Sequence, residues 1–424
     1  MKRILLFGAG KSATCLIDYL IEEIHRHHWE LVVADNNEDL ARSKIGGAAG
    51  TKAVAVQVEN EAARNALVKE SDIVISLLPP ALHSLVASSC LQERRSLLTA
   101  SYMDDSIRSR AGEVRDKGLL FLCEMGLDPG IDHMSAMHLI HRIRSQGGRI
   151  LSFRSHTGGL VAPSSDDNPW HYKISWNPRN VVLAGSAGAI FKQEGGIVKK
   201  SYRELFKDTG EVIVEGVGKL AWYPNRDSLS YIPLYGLEET ESFIRTTLRH
   251  KIFCEAWAAL IDAGLADDKI PLQTEGVRFK DWSAPVHSFV STRNEGLFQF
   301  LGLFDDEPLP VKAKSSADAL QYLLETRLAM RPDDRDMIVM LHELDYTIQG
   351  KRLGMQSSLV VEGDDYLRTA MAKTVGLPLG IAAKLILEGK IGLKGLHIPI
   401  LPEIYIPVLE ELIDHGVQFR ETVG

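Results

Sequence analysis

The chain has 424 residues, of which 45% are hydrophobic and 25% charged. That is ordinary globular composition, which excludes a disordered, collagen-like or disulfide-scaffold protein, and the length suggests about three domains. With 48 Lys and Arg against 56 Asp and Glu, the net charge is −8, which argues against nucleic-acid binding or attachment to an anionic membrane and for a soluble enzyme.

Met1 to Gly8 begins as a signal peptide would, but its apolar run stops at Gly8 and a helical pattern follows, so Ile4 to Phe7 is read as a strand. Leu16, Ile17, Leu20, Ile21 and Ile24 then recur at helical spacing, and that helix ends in the polar run Glu22 to His28. Further strands are predicted at Leu31 to Asp35, Ala53 to Val56, Ile73 to Leu78, Ser96 to Ser101 and Leu119 to Met125. Helical stretches separate most of them. Short, nearly all-apolar strands joined by helices imply a parallel sheet covered on both faces, and six of them match a doubly wound dinucleotide-binding unit.

The turn after the first strand reads Gly8-Ala9-Gly10-Lys11-Ser12-Ala13, and Asp35 closes the next strand 22 positions after Ala13. Gly8 permits a tight turn, Gly10 lets the backbone approach a pyrophosphate, and Ala13 is small enough for the helix to lie close to the strand. Asp35 is placed to accept hydrogen bonds from adenosine ribose hydroxyls and to repel a 2′-phosphate. NAD is therefore the expected cofactor, in preference to NADP; Arg42, seven residues further on, is the first arginine after Asp35. The P-loop spacing is absent.

Gly126-Leu127-Asp128-Pro129-Gly130 opens a helix of roughly Ile131 to Arg144, with Asp128 in an N-cap context. Val181 to Leu183 and Glu211 to Val214 read as strands of a second sheet. From about Glu241 to Leu328 the pattern is mostly helical. Strands return at Met337 to Leu341 and Ser357 to Val361, and helices at Thr369 to Thr374, Ile381 to Glu388 and Pro407 to Gly416. No stretch approaches the ~20 apolar residues of a membrane span. Cys15, Cys90, Cys123 and Cys254 are far apart and form no C-x-x-C pair, so they read as small core residues of a protein in a reducing cytoplasm. His25, His27 and His28 lie together on a polar helix end and no H-E-x-x-H is present, so no metal site is expected.

Several ordered stretches resemble one family. They include Ile73-Val74-Ile75-Ser76-Leu77-Leu78-Pro79, Thr99-Ala100-Ser101-Tyr102, and Gly126 to His133. Further along come Tyr172-Lys173-Ile174-Ser175-Trp176, Tyr223-Pro224-Asn225-Arg226-Asp227-Ser228, Thr247-Leu248-Arg249, Thr374-Val375-Gly376-Leu377-Pro378 and Glu403-Ile404-Tyr405. Over nearly its whole length the chain resembles the saccharopine dehydrogenase family, glutamate-forming branch. The resemblance implies an α/β fold: a Rossmann-like doubly wound parallel sheet (1–130 and 366–424), an α/β substrate and dimerisation domain (131–240 and 336–365) and a helical insertion (241–335). It also implies a homodimer acting on a small amino-acid substrate. The implied reaction is oxidation of saccharopine by a nicotinamide cofactor, after which water splits the imine into glutamate and 2-aminoadipate 6-semialdehyde. Two stretches depart from the family: His156-Thr157-Gly158-Gly159-Leu160-Val161 stands where Tyr-Cys-Gly-Gly-Leu-Pro is usual, and His250-Lys251 follows Thr-Leu-Arg where an aromatic and a glycine are usual.

Saccharopine carries three carboxylates and a secondary amine, so its site needs fixed cations. The resemblance puts substrate carboxylates on Arg226 and Arg249, with Thr247 and Leu248 beside them. Ser101, Tyr102 and Asp128 follow the ends of strands five and six, the edge where ligands bind in open α/β sheets. Tyr102 and Asp128 are the candidates for handling the amine proton, and Asp128 is compatible with both ligand contact and capping. The expected cofactor contacts are Gly8, Ala9, Gly10, Lys11, Ser12, Ala13, Asp35, Leu77, Leu78, Pro79, Ser101, Leu127, Asp128 and Ser175. Two other functions fit such a chain: a carboxynorspermidine-type dehydrogenase, whose pocket should trade arginines for acids, and a non-catalytic dinucleotide sensor.

Overall fold

The computed structural model describes residues 1–424. It divides into two compact units, Met1–Arg142 with Leu367–Gln418, and Ile143–Tyr366 with Phe419–Gly424.

The first unit is built on seven parallel strands. Six are β1 (Arg3–Phe7), β2 (Glu30–Asp35), β3 (Thr51–Ala55), β4 (Ile73–Ser76), β5 (Ser96–Thr99) and β6 (Leu120–Leu122). They lie in the order β6-β5-β4-β1-β2-β3, with the strand Gly395–His397 beyond β6. Leu5 pairs with Val32 on one side and Val74 on the other. Ile4, Leu6, Ile73, Ile75, Leu97 and Leu98 are fully buried, which is why these strands read as unbroken apolar runs rather than as alternations. The chain starts mid-sheet, runs outward through β3 and returns at β4 on the other side of β1. The ends of β1 and β4 therefore flank the point where the strand order reverses.

Helices α1 (Thr14–His27) and α2 (Glu38–Ile45) follow β1 and β2. The Asn37 side chain caps α2 by accepting from the amide of Leu40, and Gly46 ends it at φ +56°. The closing region differs from expectation. Ala370–Leu387 is one helix rather than two, with Pro378 inside it. It has the length and mean hydropathy, 1.5, of a membrane span, and 78% of it is buried within the protein. Glycines and proline lower local helix propensity, but the glycines admit α1: a Cβ on Gly376 would lie 2.9 Å from the amide of Leu16, and one on Gly380 would lie 2.6 Å from the Tyr19 ring.

The second unit holds a ten-stranded mixed sheet. Its strands begin with β7 (Arg149–Val161), β8 (Ala189–Gln193), β9 (Gly196–Lys200), β10 (Gly210–Val214), β11 (Gly218–Pro224) and β12 (Arg226–Asp227). They continue with β13 (Ser242–Arg249), β14 (Asp336–Ile348) and β15 (Lys351–Glu362). The main path runs β10-β11-β13-β7-β14-β15 and ends on the strand Arg420–Val423. Two expectations fail here. Val181 to Leu183 is not a strand but falls at the end of the helix Pro178–Val182, which Asn177 caps and Pro178 opens. Ser242–Arg249 is not helical; its Thr-rich run is a central strand, parallel to β7 with Thr247 opposite Thr157. Between β13 and β14 the chain is largely helical, including Lys251–Asp262 and Ser316–Arg327. These helices close over a core with Trp170, Phe253, Trp257, Phe298 and Leu320 at its centre.

Candidate active site

In the first unit the glycine turn sits between β1 and a short 3₁₀ turn, Lys11–Ala13, that leads into α1. Gly8 has φ +100°, and a Cβ there would meet the Leu77 carbonyl oxygen at 2.9 Å; only glycine fits both demands. Nothing lies within 4 Å of a Cβ built on Gly10, so space is open at the position where the backbone must approach a pyrophosphate. Lys11 is exposed, Ser12 half-buried and Ala13 buried. Leu77 and Leu78 line the end of β4 half-buried, with Pro79 exposed beyond them. Free amides at the start of the helical run and open space over Gly10 fit a dinucleotide phosphate.

Asp35 is tied to the backbone on both sides. One carboxylate oxygen accepts from the amide of Ala9 at 2.7 Å and the other from the amide of Asn37 at 2.9 Å, so the side chain braces the turn against α2. An open cleft of about 690 Å³ lies beyond it, lined by Asn36, Asn37, Glu38, Asp39, Arg42 and Ala55. Lys44 on α2 reaches back to the turn, its Nζ 2.6 Å from the Gly10 carbonyl oxygen and 2.7 Å from Thr14 Oγ1.

Past the ends of β4 and β5 a hydrogen-bonded chain joins Ser76 Oγ, the His83 ring and Ser101 Oγ, with both links 2.9 Å. Burial pushes His83 down to about 4, so its ring is neutral at pH 7. Tyr102 donates its hydroxyl to Asp128 Oδ1 at 2.9 Å. The residue before the helix Ile131–Ser145 is Gly130, not Asp128, and it is Asp132 that accepts from the Gly130 amide, at 2.6 Å. A Cβ on Gly130 would fall 2.0 Å from the Gly126 carbonyl oxygen, so the loop that presents Leu127 and Asp128 closes on itself through two glycines. Glu124 supports it, accepting from the amide of Met103 at 3.0 Å and lying 2.9 Å from His133 Nε2.

In the second unit Arg249 ends β13 and is 5% exposed. Its guanidinium lies over the Tyr172 and Phe253 rings, 5.1 and 5.7 Å from the centroids. One Nη donates to the Leu248 carbonyl at 2.8 Å; Nε has no acceptor, and no carboxylate pairs with the side chain. Tyr223 stands close by, its hydroxyl pushed up to about 12 by burial and drawn back down by Arg249. Thr247 is half-buried and Leu248 fully buried; Leu248 packs so close to β7 that a Cβ on Gly158 would meet it at 2.7 Å. Thr157, at the family's cysteine position, has a buried Oγ1 with no partner. His250 lies against His171 with the rings tilted at 38° and their centroids 4.8 Å apart, and His171 Nδ1 lies 2.6 Å from Asp166 Oδ2. Arg226 is exposed at φ +51°. Ser175, expected among the cofactor contacts, is buried in this unit. Lys44, His83, Glu124 and Tyr172 were not among the expected site residues. The Ser76–His83 spacing gave the one local hint, since a seven-residue step spans a strand end and the following helix start.

The strand order of the first unit and the open glycine turn at its reversal point are those of a dinucleotide-binding fold of the Rossmann type. A model of the saccharopine dehydrogenase NADP binding domain matches residues 4–122, and one of the saccharopine dehydrogenase C-terminal domain matches residues 126–417. The chain belongs to the saccharopine dehydrogenase family. It is 32% identical over 446 residues to saccharopine dehydrogenase [NADP(+), L-glutamate-forming] of Saccharomyces cerevisiae, covering 99% of each chain. The solved apo structure of saccharopine dehydrogenase (L-Glu forming) from the same yeast is similar over 100% of both chains, with TM-score 0.88 and 31% identity. Alpha-aminoadipic semialdehyde synthase of Arabidopsis thaliana is 31% identical over 99% of this chain and 44% of that protein; the chain thus spans under half the length of that relative.

These findings overturn the expected preference for NAD. The matching domain is the NADP binding one, and the yeast and Pyricularia oryzae relatives carry NADP(+) in their names. The expectation rested on the charge of Asp35 alone; that charge remains, with each oxygen accepting from a backbone amide, and does not by itself decide the cofactor.

Proposed function

We propose that the protein is an NADP-linked saccharopine dehydrogenase working between saccharopine and glutamate plus 2-aminoadipate 6-semialdehyde. The observation that carries this reading is Arg249: a buried guanidinium, walled by aromatic rings, whose Nε has no acceptor and which no carboxylate neutralises. A buried cation without a counter-ion is costly unless a ligand supplies one, and the planar fork suits a carboxylate. NADP, when bound, supplies the hydride acceptor. Arg249 holds a substrate carboxylate, with Arg226 as the second candidate cation. The Tyr102 hydroxyl and the Asp128 carboxylate to which it donates at 2.9 Å offer the acceptor for the amine proton and a group to polarise water. Ser101, oriented by His83, supplies a hydroxyl beside them. A homodimer accompanies this reading through the family resemblance, and sedimentation analysis tests it.

Turnover assays with NADP and saccharopine, beside carboxynorspermidine, test the proposal. Turnover of saccharopine alone supports it. Turnover of carboxynorspermidine alone, or tight dinucleotide binding with no turnover of either, overturns it.

A further inference from the structure

Asp35 raises a physical problem for the cofactor reading above. The ribose of a bound dinucleotide lies between the second glycine of the turn and the acid that ends β2. A carboxylate there repels a 2′-phosphate, and holding its oxygens on the amides of Ala9 and Asn37 does not remove its charge.

We propose that Lys44 is the cation that receives the 2′-phosphate and thereby makes this acidic strand end compatible with NADP. The inference rests on the NADP reading. Lys44 reaches the right place: its Nζ contacts the carbonyl oxygen of Gly10, the second glycine, at 2.6 Å, and Thr14 Oγ1 at 2.7 Å. Both partners are neutral and no carboxylate pairs with it, so the ammonium keeps its net charge and a third N–H to offer. Arg42 differs. It lines the cleft beyond Asp35 but forms an ion pair with Glu38 on its own helix, and about two-thirds of its side chain is exposed. Lys11, in the turn itself, is exposed to solvent, where its charge is screened.

Lys44 is only half-buried, yet burial is the largest influence on it and lowers it to about 8. Cys15 and Asp18 on α1 and Asp35 on β2 act in the other direction. It therefore remains mostly protonated at pH 7, and an added dianion would strengthen that protonation.

The test is a calorimetric titration of the intact chain at pH 7 with 2′,5′-ADP and with 5′-AMP, which share every group but the 2′-phosphate. Wild type is expected to bind 2′,5′-ADP more tightly. Lys44→Met should cut 2′,5′-ADP affinity about 10- to 100-fold, the worth of a charge-assisted hydrogen bond, and leave 5′-AMP binding unchanged. Lys44→Arg should restore most of the preference, and Arg42→Gln should retain it. Equal weakening of both ligands in Lys44→Met would show that the lysine merely braces the turn. A preference that survives Lys44→Met overturns the assignment while leaving NADP as cofactor. A wild type that favours 5′-AMP removes the NADP reading and this proposal with it.

Discussion

His83 Nε2 lies 2.9 Å from Ser101 Oγ, and the opposite ring nitrogen lies 2.9 Å from Ser76 Oγ. A neutral imidazole donates at one nitrogen and accepts at the other, so the ring transmits a fixed hydrogen-bond direction from the end of β4 to the hydroxyl that follows β5. His83→Leu should break that direction and lower kcat/KM about 10-fold, with dinucleotide affinity little changed, and His83→Gln should recover part of the loss. Because burial holds the ring at about 4, the histidine resonance lost in His83→Leu should show no titration between pH 5.5 and 8 in the wild-type NMR spectrum. A midpoint near neutrality would contradict this arrangement.

Arg249→Lys replaces the planar fork with a point charge on a shorter reach. Saccharopine kcat/KM should drop about 10- to 100-fold, the worth of a charge-assisted hydrogen bond of roughly 1.5–3 kcal/mol. The NADP dissociation constant should stay within about twofold. Intact saccharopine kinetics in a folded variant would remove Arg249 from the site.

The two glycines of the turn should fail differently. Gly8→Ala meets the Leu77 carbonyl at 2.9 Å with φ +100°, and should cost stability of about 1–3 kcal/mol or more, read as a lower unfolding midpoint. A methyl on Gly10 meets no protein atom within 4 Å. Gly10→Ala should therefore keep the wild-type midpoint while weakening NADP binding severalfold. Equal thermal loss in the two variants would show that the openness over Gly10 has no bearing on the ligand.

Glu343 on β14 gives a pH signature in the second unit. Its Oε2 lies 3.1 Å from His156 Nε2, whose other nitrogen lies 2.7 Å from Thr246 Oγ1. The bond from His156 holds the Glu343 carboxyl below the usual range against the opposing effect of burial. A carboxyl depressed on folding contributes stability that is complete above its unfolded value and disappears as pH falls through the folded one. Glu343→Gln should therefore lower the urea midpoint at pH 7 by the equivalent of about 1–2 kcal/mol. The gap to wild type should close as pH falls below the ordinary glutamate range and through the lower folded value. A gap that is constant with pH would mean the ionised form is not the stabilising one.

Much of the first unit was legible because its information is local. Apolar runs mark strands buried on both faces, and Gly8, Gly10 and Ala13 mark a turn that few other residues could make. The readings that failed depend on partners far along the chain. Val181 and Val182 are as apolar as any strand, but Asn177 and Pro178 start a helix one turn earlier. Thr246 to Arg249 run straight into the helix Lys251–Asp262, yet they pair with β7 and β11, which come before them in sequence. The strand Gly395–His397 is three residues long and exists because β6 offers it an edge.

The amino-acid sequence by itself determined the doubly wound sheet, the glycine turn and the family, since each rests on residue type at fixed spacing along the chain. Only the tertiary structure decided what the charged groups do. Asp35 has one identity in the sequence but two backbone amides holding it in the fold. Lys44 lies 34 residues from the carbonyl it contacts. Arg249 lies buried against the Tyr172 and Phe253 rings with no acceptor for its Nε. A side chain's charge is written in its residue type, but the work that charge can do depends on burial and on the nearest opposite charge, and these are set by segments that meet only when the chain folds.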